Sequence, residues 1–215
     1  MNVIREFIQF SLIDERIRSK RFDMREFKKL TDSDEIYDRA VNSGLREIGR
    51  GGGRAVFVLN SSKVLKVAIP NAITGEDDDF GHEQNEAEFE LSQHPTISNA
   101  VAKVFEHGPS FTWIISELVR PINDTEEFQA LLGTDIGMKT LVDAVWYNNV
   151  PELKRFVDKH KLNTQKAHAL LAGLRSMNKR NVNVHDIKRL EHWGKTADGR
   201  LVLLDYGLID GNYGP

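Results

Sequence analysis

The chain has 215 residues, 40% of them hydrophobic and 28% charged, with a formal net charge of −3 and no cysteine. This is the composition of a globular chain able to bury a core, and its slight acidity argues against a sequence-independent grip on nucleic acid. No apolar run approaches the roughly 18 residues of a membrane helix, and the lack of cysteine removes disulfides, thiolate chemistry and cysteine-ligated zinc.

Residues 1–44 read as a helical extension. Val3, Ile4, Phe7, Ile8, Leu12 and Ile13 recur at helical spacing, which makes one face apolar. Charge interleaved through this stretch distinguishes it from a secretory leader, and the lack of cysteine fits an expected cytoplasmic setting. Asp32, Ser33 and Asp34 offer caps for a second helix carrying Ile36, Tyr37 and Val41, which Ser43-Gly44 ends. An apolar helix face is expected to brace the following domain.

Strand character begins at Leu45. Leu45–Ile48 leads into Gly49-Arg50-Gly51-Gly52-Gly53, and Ala55–Leu59 and Lys63–Ile69 follow around an Asn60-Ser61-Ser62 turn. A polar loop spans Asn71 to Asp79. A helix is expected from His82 to Gln93, stopped by His94-Pro95. Val101–His107 and Thr112–Leu118 read as two more strands. Residues 124–180 are mainly helical, interrupted at Gly133, Gly137 and Pro151, and a last pair of strands flanks Asp198-Gly199. The order predicts an α+β fold: a small antiparallel β lobe at about 45–120 and a helical lobe at about 121–215, together one domain over 45–215.

Several residues in this frame suit phosphate chemistry. Glycines let backbone N–H groups approach phosphate oxygens, so Gly49, Gly51, Gly52 and Gly53 are candidate binders, although a bland hairpin turn has the same composition. No G-K-[ST] ending follows, so this is not a Walker loop. Lys66 sits within Val64-Leu65-Lys66-Val67-Ala68; a lysine in an apolar strand needs a partner or faces solvent. Glu86 is the expected partner, with Glu83, Glu88 and Glu90 as competitors. Asp186 and Asp205 lie 19 positions apart and flank the Asp198-Gly199 hairpin. Asp186 suits a general base, Lys188 suits neutralisation of a transferred phosphoryl group, and Asp205 is a hard oxygen donor for Mg²⁺. The His185-x₆-His192 spacing fits no common zinc signature.

The order Gly49–Gly53, Lys66, Glu86, Glu117, Asp186, Asp205 resembles the protein-kinase-like superfamily. Leu190-Glu191-His192-Trp193-Gly194-Lys195 through Leu203-Leu204-Asp205-Tyr206-Gly207 looks more narrowly like small kinase-like proteins of tailed bacteriophages. The resemblance covers about Leu45 to Tyr213. It implies a minimal kinase-like fold, ATP and Mg²⁺ as cofactors, and transfer of the γ-phosphate to a hydroxyl in the host cytoplasm. It also implies that Glu117 and Val119 contact adenine through their backbone. The acceptor would be a protein or a small molecule, and a pseudokinase acting on a host protein is the competing expectation. The chain departs from the family pattern in four ways. Val184 stands where the histidine of H-R-D belongs. Glu191 stands where an asparagine usually holds a second Mg²⁺. Tyr206 replaces phenylalanine in D-F-G. Only ten residues follow Asp205, which leaves no peptide-docking activation segment.

Overall fold

The computed structural model describes residues 23–70, 80–162 and 164–207; the expected helix face of Val3 to Ile13 and the 71–79 loop lie outside them. The chain forms two compact units, one comprising residues up to Phe89 with Val104–Leu118, the other comprising Glu90–Lys103 and the residues from Val119 onward.

The first unit is built on an antiparallel five-stranded sheet: β1 (Arg46–Arg50), β2 (Arg54–Val58), β3 (Lys63–Ala68), β4 (Val104–His107) and β5 (Trp113–Glu117), in the order β1-β2-β3-β5-β4. Alternation along β3 divides its side chains between two faces. Leu65, Val67 and Ile69 join Ala55, Phe57, Trp113 and Ile115 in one core cluster. Two N-terminal helices, α1 (Met24–Phe27) and α2 (Ser33–Asn42), close that cluster with Phe27, Ile36 and Ala40, all at most 1% exposed. Asp32 caps α2 by accepting from the Glu35 amide at 2.8 Å. The expected brace is therefore present for residues 23–44, which belong to the same unit as the sheet rather than standing apart from it. The other face of β3 carries Val64, Lys66 and Ala68, opposite the helix α3 (Phe80–Gln93).

Among the described residues the second unit holds four substantial helices, α4 (Thr125–Leu132), α5 (Met138–Tyr147), α6 (Val150–Lys159) and α7 (Gln165–Asn178), followed by one turn, α8 (Val184–Ile187). Asp124, Asn149 and Thr164 cap α4, α6 and α7 through side-chain oxygens, which satisfies amides that have no partner inside a helix. The interruptions fall as the sequence predicts: Gly133 ends α4, Gly137 precedes α5 and Pro151 lies in the first turn of α6. A three-stranded sheet, β6 (Arg120–Pro121), β7 (Trp193–Lys195) and β8 (Leu201–Leu203), packs on the same core. Gly199, at φ +81°, makes the turn between β7 and β8 that a residue with a Cβ would resist.

The run Val101–His107 is not one strand. Val101 bridges Leu203 of β8 in the second unit, and only Val104–His107 pairs with β5 in the first. Two sheets draw on one apolar run, which local pattern cannot divide.

Candidate functional site

In the first unit the glycine segment joins β1 to β2 as an antiparallel hairpin, closed by the Gly51 amide donating to the Arg54 carbonyl at 2.8 Å. The β1 side is pinned to α2: Arg50 pairs with Glu47 at 2.9 Å, and its guanidinium lies 4.9 Å from the centre of the Tyr37 ring. The Arg50 guanidinium holds the Glu47 carboxyl below its ordinary range. The glycines have different reasons for being glycine. A Cβ on Gly53 would lie 2.6 Å from the Phe80 ring and 3.1 Å from the Gly81 amide, so Gly53 is needed for packing against the start of α3. Gly49 and Gly51 have neither a crowding neighbour within 4 Å nor a positive φ. Among the described residues, nothing requires a missing Cβ at either position.

Lys66 and Arg54 share one sheet face: Arg54 stands opposite Ala68, and Val56 opposite Lys66. Both reach Glu88 of α3. The Lys66 ammonium donates to one carboxylate oxygen at 2.6 Å, and an Arg54 guanidinium nitrogen donates to the other at 2.8 Å. The side chains are 9%, 7% and 1% exposed respectively. Charges this far from water persist only when paired and hydrogen-bonded, and one carboxylate here fixes two cations.

The partner of Lys66 is thus Glu88, and the expectation of Glu86 is corrected. Gly81, Gln84, Asn85, Ala87, Glu88, Leu91 and Ser92 are the buried positions of α3, whereas Glu86 is exposed. Two residues at about 100° each put Glu86 roughly 200° around the helix from Glu88. Glu83 and Glu90 are exposed as well. Arg54 was not anticipated; its signal was its place directly after the glycines, in a strand whose alternation shares the Lys66 face. Glu117 ends β5 opposite Lys63, the adjacent Leu118 amide is taken by the Ser62 carbonyl at 2.8 Å, and Val119 is buried.

In the second unit the backbone around Asp186 is fixed from three directions. The Asn183 side chain accepts from the His185 and Asp186 amides at 2.8 and 3.3 Å. The Trp193 indole donates to the Ile187 carbonyl at 2.8 Å, and Ile187 itself is fully buried. Asp205 follows β8 and is half-buried, between a core strand and Tyr206. The Tyr206 hydroxyl donates to the Ala102 carbonyl at 2.7 Å, a bond that phenylalanine could not make, which gives the tyrosine here a structural reason.

Lys188 and Glu191 have partners of their own. The Lys188 ammonium lies 2.5 Å from Asp143 of α5 and 5.1 Å from the centre of the Tyr147 ring, and the Asp143 carboxylate raises its pKa. Glu191 pairs with Arg189 at 2.9 Å; its own backbone N–H, then Arg189, hold its carboxyl below the ordinary range. His192 has a buried Nδ1 without a hydrogen-bond partner among the described residues. No group of three or more histidine, aspartate or glutamate side chains is placed to share a metal ion among the described residues. Mg²⁺ commonly takes one or two carboxylates and completes its shell with phosphate and water. Asp205 is chemically suited to be such a ligand, and Glu191, held by Arg189 in an exposed turn, is a poorer one.

Compared with known proteins, the chain matches no family model and no curated protein.

Proposed function

We propose that the protein is an Mg-ATP-dependent phosphotransferase with a minimal kinase-like fold, transferring the γ-phosphate to a hydroxyl. The observation that carries this reading is the buried Lys66–Glu88 ion pair, joining the strand behind a glycine hairpin to a helix and reinforced by Arg54. A lysine held this way presents a fixed positive charge to phosphate without reorganising. Gly49 and Gly51 fit the same reading, because the space beside them among the described residues would let backbone N–H groups approach phosphate. In this reading the glycine hairpin and Lys66 grip the nucleotide phosphates, Asp205 would hold Mg²⁺, and Asp186 accepts the proton of the acceptor hydroxyl. Bound Mg²⁺ would neutralise charge developing on the phosphates.

A second reading is a pseudokinase that binds nucleotide, or a host protein, without transfer. It draws on Lys188 and Glu191, both held by neighbouring ions of opposite charge. One experiment separates the two. Nucleotide at about 100 times its Kd should stabilise the protein by roughly 2.7 kcal/mol, and Lys66→Met should abolish that gain. With γ-labelled ATP, label transfer lost in Asp186→Asn supports the phosphotransferase. Stabilisation without transfer supports the pseudokinase, and no stabilisation by ATP with Mg²⁺ or Mn²⁺ overturns both nucleotide readings.

A further inference from the structure

The second unit contains a cavity of about 560 Å³ beside the Asp186 segment, formed by the first turns of α4 and α5 and by residues 188–191. Its volume is in the range of small-molecule sites, roughly 300–1,000 Å³. Its polar lining is Thr125, Lys139, Thr140, Lys188, Arg189 and Glu191: three cations, two hydroxyls and one carboxylate.

Three features decide what it can hold. Lys139 has no ion-pair partner among the described residues and is exposed. Arg189 is engaged by Glu191, but the two side chains are 56% and 51% exposed, and such pairs are weakly held. An incoming anion can therefore replace Glu191 on the guanidinium. Lys188 stays charged beside Asp143, so it still adds to the positive field, although Asp143 offsets part of it. The two threonine hydroxyls can both donate and accept hydrogen bonds, as suits a polyol. A cationic acceptor would meet like charge here, whereas the apolar part of the wall, Met138 and Leu190, suits the carbon skeleton of a small anion.

We propose that this cavity binds the phosphoryl acceptor, and that the acceptor is a small hydroxyl-bearing anion such as a phosphorylated polyol. The assignment of the ligand as an acceptor rests on the phosphotransferase reading above; the anion preference of the cavity does not. In the reaction the acceptor hydroxyl gives its proton to Asp186 and its oxygen bonds the γ-phosphorus of ATP. The bond from that phosphorus to the β,γ-bridging oxygen breaks, and ADP leaves with the electron pair.

The test uses the full chain labelled with ¹⁵N and titrated separately with glycerol 3-phosphate, glycerol and choline. Saturable shifts at the Lys139, Thr140 and Arg189 amides are expected with the phosphate alone. The double variant Lys139→Glu, Arg189→Glu should weaken that binding by at least about tenfold, since like charges placed together are costly. Both positions are exposed, and an otherwise unchanged spectrum would show that the fold is kept. Absence of shifts with glycerol 3-phosphate, or equal shifts with choline or glycerol, would overturn the inference. If ATP fails to bind while glycerol 3-phosphate still shifts these amides, the phosphotransferase reading falls and the anion site stands. If ATP binds and the phosphate shifts nothing, the inference alone falls.

Discussion

Replacing Glu88 by glutamine keeps the shape of the side chain and removes one charge. In the native protein that charge serves two cations through separate oxygens, at 2.6 Å to Lys66 and 2.8 Å to Arg54. Glutamine can still accept from one of them, but its amide N–H group then faces the other. Losing one partner from a buried ion pair costs about 3–5 kcal/mol, a large share of a typical stability of about 5–15 kcal/mol. At about 2–4 °C per kcal/mol for a chain of this size, the melting temperature should fall by about 6–20 °C. Glu86→Gln, on the exposed face of the same helix, should stay within about 0.5 kcal/mol of wild type. Lys66→Met should lie between the two, because it leaves a one-to-one Arg54–Glu88 pair and replaces the ammonium with an apolar side chain of similar length. Calorimetric melts of the three variants under one buffer condition test this order. Equal shifts for the Glu88 and Glu86 variants would refute the claim that Glu88 is the anchor.

Two further perturbations follow from the second unit. Tyr206→Phe should cost about 1–3 kcal/mol, because it removes the donor at 2.7 Å from a buried Ala102 carbonyl; denaturant melts check this, and an unchanged midpoint would mean the hydroxyl does not matter. Glu127 is held below its ordinary value of 4.5, first by the Arg120 guanidinium and also by the Asn123 amide. Its contribution is complete above pH 4.5 and is lost as the pH falls through the lower folded value. Glu127→Gln should therefore cost up to about 1 kcal/mol at pH 7 and progressively less below pH 4.5; a difference from wild type that grows on acidification would contradict the assignment.

Element boundaries were largely legible because their signals are local. Asp32 and Ser43-Gly44 frame α2, Asn60-Ser61-Ser62 separates β2 from β3, and Asp198-Gly199 turns β7 into β8. The hydrophobic alternation of β3 also fixed Lys66 on the face away from Leu65 and Val67. What local signals could not supply was the choice among four glutamates on α3, because that depends on how the helix is rotated against the sheet. The buried positions Gln84, Ala87 and Leu91 settle the rotation; the glutamates alone do not. Pairings such as Lys188 with Asp143 and Tyr206 with Ala102 were illegible for a different reason. They join residues far apart in the chain, and only the packed core brings them into register.

The contact of Gly53 with Gly81 has a mechanical consequence. The Gly53 carbonyl also accepts from the Ile69 amide at 2.8 Å, so the base of the hairpin, the end of β3 and the start of α3 meet at one point. That point works as a pivot. Beyond it, among the described residues, a Cβ at Gly49 or Gly51 would meet nothing within 4 Å, and Arg50 between them is tied to Glu47 and Tyr37. Lys66 and Glu88 lie on the side of this contact where β2, β3 and α3 are joined by ladder hydrogen bonds and the ion pair. A tip that folds over a guest can then do so without loosening the ion pair, and a side chain added at Gly53 or Gly81 would act as a wedge that shifts the helix and the hairpin together.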